Sequence, residues 1–238
     1  RDELGVDSFR TTSDTEVILK AYQRWGRDCV HHLRGMFAFA IWDPKLNALF
    51  VARDRFGIKP LYFAHTRQGF FFASEIKALT PLFQQIETDA TGIRDYFSFQ
   101  FCLGSQTMVS GIQQLEAGHC GYVKLNGETD FKRYWEVYYD LDWGHTEHYF
   151  VAKLEELIYD SIDKHLRADV DVGSYVSGGV DSSLMAGLAR KAKGTERAFH
   201  AFNGRFDGAA FDESEYAIAL ARKYDMELHV TDICEDDF

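Results

Sequence analysis

The sequence predicts a chain in two parts: an antiparallel, aromatic α+β first half and an α/β second half built on a doubly wound parallel sheet. Three observations lead there. Short apolar strands separated by tight turns run from Met36 to Trp135, and a strand, helix, strand, helix, strand order follows from Val172 to Thr231. Between them, residues 136–147 carry acidic and aromatic side chains with neither a helical nor a strand period. Residues 1–135 are therefore assigned to a first domain, 136–147 to a linker and 148–238 to a second domain.

Ser13 and Glu16 stand at capping-box spacing and open a helix through Trp25, with Val17, Ile18, Tyr22 and Trp25 as its apolar positions and Gly26 as its stop. Strands are expected at Phe37 to Trp42 and Ala48 to Ala52, around the turn Asp43-Pro44-Lys45-Leu46-Asn47. Another pair, Leu61 to Ala64 and Phe70 to Ala73, flanks Arg67-Gln68-Gly69. In the first strand Phe37, Phe39 and Ile41 face one way and Ala38, Ala40 and Trp42 the other. A strand apolar on both sides belongs in a sheet covered on both faces. Glu75 to Leu79 and Thr91 to Phe99 read as short helices; Gly121 to Leu125 and Thr129 to Trp135 read as a hairpin closed by a type I′ turn at Asn126-Gly127. From His148 a helical stripe returns at Val151, Leu154, Leu157, Ile158, Ile162 and Leu166. A strand at Val172 to Val176, a helix from Leu184, a strand at Ala198 to Phe206, a helix at Glu213 to Tyr224 and a strand at Glu227 to Thr231 complete the second half.

A net charge of −11 argues against nucleic acid or an anionic membrane as the main partner. No run of 18 apolar residues offers a membrane span, and the opening Arg1-Asp2-Glu3 is unlike a signal peptide. Cys29, Cys102, Cys120 and Cys234 form no C-x-x-C pair, which suits reduced thiols in a cytoplasmic protein rather than a zinc site. His145 and His148 make an isolated H-x-x-H, read as surface or linker histidines.

The chemistry centres on Ser177-Gly178-Gly179-Val180-Asp181-Ser182-Ser183, between an apolar strand and a run of helix formers. Two glycines permit a sharp turn and a close approach to a ligand, while N–H groups of the loop and first helical turn point outward. Such a concavity suits phosphate oxygens. Asp181 stands where it could cap the helix or help to hold Mg²⁺. No Walker A sequence occurs in the chain.

Ser177 to Ser182 reads S-G-G-V-D-S and resembles the pyrophosphate loop of the ATP pyrophosphatase superfamily, whose members split ATP into AMP and pyrophosphate to activate a carbonyl or carboxylate. Further segments resemble the glutamine amidotransferase domain of asparagine synthetases, a class II (N-terminal nucleophile) glutaminase. They are Phe9 to Leu19, Leu33 to Ala40, Ala52 to Tyr62 and Phe72 to Leu79, and the likeness continues through Asp169 to Ser183 and Phe211 to Ser214. The resemblance implies a partial αββα sandwich followed by a partial Rossmann-like ATP pyrophosphatase domain. It places the glutamine α-amino group on Asp14, and ATP or its pyrophosphate on Val176, Ser177, Gly178, Gly179, Val180, Asp181 and Ser182. Gly204 falls where many members hold an apolar residue near the adenine, and Asp171 where the family has proline.

An N-terminal nucleophile must be residue 1, because its own α-amine serves as the base, and residue 1 here is arginine. The family's oxyanion asparagine-glycine pair falls upstream of this sequence, and its second nucleotide-site motif falls beyond Phe238. The catalytic set is thus incomplete, and the chain is expected to be the middle of a longer enzyme, inactive alone. The expected whole is a cytoplasmic, homodimeric, glutamine-dependent asparagine synthetase using glutamine, aspartate, ATP and Mg²⁺. Two alternatives stay open: a β-lactam synthetase-like relative acting on another carboxylate, and a nucleotide-binding pseudoenzyme.

Overall fold

A computed structural model describes residues 3–5, 9–194, 198–206, 212–234 and 237. The chain divides into two compact units, Arg1–Tyr139 and Asp140–Phe238.

In the first unit, helices α1 (Asp14–Trp25) and α2 (Cys29–His32) precede strands β1 (Ala38–Asp43), β2 (Ala48–Arg53), β3 (Tyr62–Thr66) and β4 (Gly69–Ala73). Helix α3 (Ala90–Phe99) and strands β5 (Ile112–Gln114), β6 (His119–Lys124) and β7 (Thr129–Arg133) follow. The strands form two antiparallel sheets, ordered β1-β2-β6-β7 and β4-β3-β5. Strand β2 shows why they stack. Its two-residue period sends Phe50 and Ala52 toward Ala21, Tyr22, Cys29 and Val30 of the helices, and Val51 toward Leu61, Phe63, Leu115 and Val123. Across the inter-sheet core the Phe63 and Phe131 rings meet edge to face at 5.4 Å. On the outer face of the second sheet, Ala64 and Ile112 pack with Leu79, Ile76, Leu82 and Phe83. The layers therefore run helix, sheet, sheet, helical turns, and the apolar faces of β1 are covered on both sides apart from Trp42, which is 49% exposed.

One local expectation is refined and another corrected. The short helix expected at Glu75 to Leu79 is present as a single 3-10 turn, Ile76–Ala78, and a second, Thr80–Leu82, follows it. Pro81 has no N–H to donate to the Lys77 carbonyl, and the Thr80 hydroxyl donates there instead, at 2.9 Å. In the β6–β7 hairpin only Gly127 has a positive φ, +84°, and its N–H donates to the Lys124 carbonyl at 2.9 Å. That is a three-residue loop with glycine at the left-handed position, not a type I′ turn.

The second unit contains α4 (Glu147–His165), β8 (Ser174–Tyr175), α5 (Val180–Lys193), β9 (His200–Phe206), α6 (Ser214–Tyr224) and β10 (Glu227–Ile233). The three strands are parallel, in the order β10-β9-β8. Val176, Ala186, Phe199, Ala201, Ala217, Ala221 and Met226 form the core, its small side chains letting α5 and α6 lie close to the sheet. The strand expected at Val172 to Val176 pairs as a ladder through Ser174 and Tyr175; β8 stands at the edge of this sheet, and Tyr175 is 86% exposed. The stripe on α4 is present, yet only Ile162 is buried while Val151, Leu154 and Leu157 are exposed. Periodicity marks the apolar face of a helix, and a packing partner is still needed to bury it. Helix α6 starts at Ser214 rather than Glu213, its first N–H held by the Asp212 carboxylate at 2.9 Å; Phe211 lies outside the described residues. Among the described residues no helix is long and apolar enough to cross a membrane.

Candidate functional site

In the second unit, Val176 is 1% exposed, and its N–H donates to the Phe202 carbonyl at 2.8 Å, carrying the parallel pairing one residue past β8. The chain then turns into α5. Gly178 has φ +98°, and a Cβ there would run into the Glu213 carbonyl oxygen and come within 2.9 Å of Glu213 Cβ. Conformation and space both require glycine. Gly179 differs: it is the N-cap of α5, with φ −66° and ψ 162°, and a Cβ would meet only Ser177 Oγ, at 3.4 Å. A glycine cap offers no side-chain oxygen, so the first-turn N–H groups of Val180, Asp181 and Ser182 lack an acceptor within the helix. The positive end of the helix dipole lies at the same place.

The hydroxyls close the loop on itself. Ser182 Oγ donates to the Gly179 carbonyl at 3.2 Å and accepts the Ser177 N–H at 3.2 Å, so the 2.9 Å contact between the two hydroxyls has Ser177 as donor. Ser177 Oγ in turn accepts the Gly179 N–H at 3.3 Å. Asp181 does not cap the helix; it is exposed in the first turn, and among the described residues no hydrogen bond or ion pair engages its carboxylate.

Sequence reasoning missed Asn203. On β9, with Ala201, it faces the core, and its Nδ2 donates to the Val176 carbonyl at 2.7 Å, fixing the last strand residue before the loop. Its Oδ1 is buried with no partner among the described residues. The available signal was one amide on the strand face that Ala201 shares, in the stretch Phe199-His200-Ala201-Phe202-Asn203. Gly204, next along, faces the other side of the sheet opposite Thr231; a Cβ there would touch only the rotatable Cδ1 of Ile233, at 2.7 Å.

In the first unit, Asp14 is the first residue of α1. Capping is done by its neighbours. Ser13 Oγ accepts the Thr15 N–H at 3.2 Å, and the Glu16 carboxylate turns back to the Arg10 N–H at 2.9 Å and to the Thr11 N–H and hydroxyl, both at 2.7 Å. The expected capping box is therefore altered: Glu16 ties down the entry segment instead of the Ser13 N–H. The Arg10 N–H, followed by the Thr11 hydroxyl and N–H, lowers the Glu16 pKa to about 2. Asp14 keeps an exposed carboxylate whose hydrogen bond among the described residues is with the Thr15 hydroxyl, at 3.4 Å.

The Arg53-to-Lys59 segment has a structural explanation. Asp54, 1% exposed, accepts the N–H groups of Phe37, Phe56, Ile58 and Lys59 at 3.0–3.2 Å. Arg53 donates to the carbonyls of Gly57, Lys59 and Leu115 at 2.6–2.8 Å. Adjacent side chains of opposite charge thus satisfy one loop's donors and acceptors.

A family model described as a glutamine amidotransferase domain matches residues 1–135, and one described as asparagine synthase matches residues 153–238. The chain belongs to the glutamine-hydrolysing asparagine synthetase family. It is 35% identical over 229 residues to asparagine synthetase [glutamine-hydrolyzing] 1 of Bacillus subtilis, covering 95% of this chain and 36% of that relative. A putative asparagine synthetase of Mycobacterium tuberculosis is 35% identical over 93% of this chain and 35% of its own length. The amidase chyE of Penicillium rubens is 30% identical over 99% of this chain and 37% of its own. The chain spans about a third of the length of the curated relatives it matches. A solved glutamine phosphoribosylpyrophosphate amidotransferase from B. subtilis aligns over 94% of this chain and 55% of its own at 14% identity, with a TM-score of 0.38. The synthetase-family assignment thus joins two domain matches that fall one on each structural unit.

Proposed function

We propose that this chain supplies the glutamine-amine contact and the pyrophosphate loop of a glutamine-dependent asparagine synthetase, an ATP-dependent carbon–nitrogen ligase. The observation that carries the proposal is the entry to α5. There an obligatory glycine, a cap without a side chain and a ring of two hydroxyls leave helix N–H groups available to an anion. In the reaction, an oxygen of the aspartate side-chain carboxylate attacks the α-phosphorus of ATP, the bond to the bridging oxygen breaks, and pyrophosphate departs from β-aspartyl-AMP. Ammonia from glutamine then attacks the acyl carbon, AMP leaves with the acyl oxygen, and the nitrogen loses a proton to give asparagine.

The Val180 to Ser182 N–H groups receive the charge that develops on pyrophosphate, and the Ser177 and Ser182 hydroxyls, bonded to one another, hold the loop that presents them. Val176 and Gly204 border the nucleotide. The unengaged Asp181 carboxylate fits Mg²⁺, which takes one or two carboxylates together with phosphate oxygens and waters. Bound there, the ion would neutralise phosphate charge. Asp14 receives the α-amino group of glutamine. The β8–β10 sheet is read as the start of a doubly wound, Rossmann-like ATP pyrophosphatase domain, within the division 1–135, 136–147 and 148–238. A second, β-lactam synthetase-like reading has the same loop activating a carboxylate other than that of aspartate.

The test is pyrophosphate release by the protein carrying this chain, with aspartate and either ammonia or glutamine. Asp181→Ala and Ser177→Ala are expected to slow release from both nitrogen sources by about 2–4 kcal/mol in transition-state stabilisation. Asp14→Ala should abolish glutamine-supported synthesis and spare ammonia-supported synthesis. Unchanged release in both loop variants overturns the loop assignment, and release that needs an acceptor other than aspartate favours the second reading.

A further inference from the structure

Strands β9 and β10 begin with a group of side chains that the loop chemistry does not use. Glu227 lies opposite His200 in the parallel ladder and His229 opposite Phe202, so all four project from the sheet face away from Ala201 and Leu228. His200 Nδ1 and His229 Nε2 are 3.0 Å apart. The Glu227 carboxylate straddles them, with Oε2 3.6 Å from His200 Nδ1 and Oε1 3.7 Å from His229 Nε2. An ordinary charge-assisted hydrogen bond would close to about 2.7–2.9 Å on one ring. Here the carboxylate stands off almost equally from both.

We propose that His200, Glu227 and His229 form a binding site for a divalent transition-metal ion of the zinc type, tying β9 to β10. Zn²⁺ held at about 2.0–2.1 Å in tetrahedral geometry separates its ligand atoms by roughly 3.3–3.4 Å. The two imidazole nitrogens stand near that separation, each has a carboxylate oxygen of Glu227 at 3.6 or 3.7 Å, and one ligand atom from each of the three side chains lies within 4.8 Å of the others, close enough to converge on one ion. Two imidazoles and one carboxylate are donors that zinc accepts, and the partial exposure of all three leaves the fourth position to water. The Phe202 ring stacks on His229 at 5.0 Å and 19°, holding the plane of that imidazole. The site lies at the start of the strands, whereas the pyrophosphate loop follows the end of β8, and it does not depend on the proposed ligase activity.

The test is titration of the metal-free protein with Zn²⁺ by calorimetry, and with Co²⁺ as a visible-absorption probe of coordination. One zinc per chain is expected, with affinity falling at least about tenfold in Glu227→Gln and further in His200→Ala and His229→Ala. The Co²⁺ spectrum should be of the four-coordinate type and should change in Glu227→Gln. That variant keeps the size and shape of the side chain and decides the matter even if a histidine variant fails to fold. Cys234→Ser and His145→Ala should bind as the parent does. No binding at micromolar zinc, affinity unchanged in Glu227→Gln, or loss confined to the Cys234 or His145 variant would overturn the site.

Discussion

Helices α1 and α5 both begin at a candidate binding residue, and their first turns are finished in opposite ways. At α1 Ser13 caps the Thr15 N–H, Glu16 holds the segment before the helix, and the first turn presents an exposed carboxylate, Asp14. At α5 the cap is Gly179, the hydroxyls of Ser177 and Ser182 are turned onto one another, and the groups that remain are N–H donors, with the Asp181 carboxylate exposed beside them. The same structural element thus offers an acceptor for an ammonium group in one unit and donors for an anion in the other. The difference lies in which capping side chains are present, since both helices carry the same positive end.

The largest effect that would break this comparison is expected at Gly178. Gly178→Ala must hold a Cβ at φ +98° against Glu213, at a cost of about 1–3 kcal/mol in folding stability, and should abolish pyrophosphate release. Gly179→Ala introduces only the 3.4 Å contact with Ser177 Oγ and should remain within about 1 kcal/mol of the parent. Chemical denaturation of the two variants, alongside pyrophosphate assays, measures the gap. Equal effects would mean that the loop needs two flexible residues rather than one left-handed position.

A smaller effect is expected at Asn203. Asn203→Ala removes the donor to the buried Val176 carbonyl, a loss of about 1–3 kcal/mol, and also removes the unpaired Oδ1, which offsets part of it. The net should be about 1 kcal/mol by denaturation, with the loop's affinity for pyrophosphate reduced because Val176 is no longer fixed. Unchanged affinity would place the order of the loop in its own hydroxyl ring.

These residues also show what the sequence could convey. The alternation in β1 and the S-G-G-V-D-S loop were legible because each is a local pattern with one physical reading: a two-sided strand, and a turn into a helix. The partners of Glu16 were not, because they depend on the path of residues 10 and 11, and S-x-x-E spacing is silent about that path. Asn203 and the His200, Glu227 and His229 triad escaped for a related reason. Their contacts cross between strands 27 or 29 positions apart, and strand register is fixed by the folded sheet rather than by spacing. The α4 stripe was legible as a face but not as a buried one.

The smallest effect separates Asp14 from its neighbour. Glu16 is ionised well below the ordinary glutamate range because the Arg10 and Thr11 N–H groups and the Thr11 hydroxyl bind its charged form. A carboxyl whose folded pKa is depressed contributes stability that is fully present above its unfolded value, near 4.5, and is lost as pH falls toward about 2. The start of α1 should therefore loosen over that acid window, seen as a shift of the Arg10 and Thr11 amide resonances. Glu16→Gln, which cannot ionise, should flatten this pH response and leave the entry segment already loosened at neutral pH. Asp14→Asn should leave both the response and the helix start as they are, since Ser13 and Glu16 do the capping, while glutamine use is lost. If instead Asp14→Asn flattened the pH response and Glu16→Gln did not, Asp14 would be the structural carboxylate. The opposite finishing of the two helix starts would then fail at its first member.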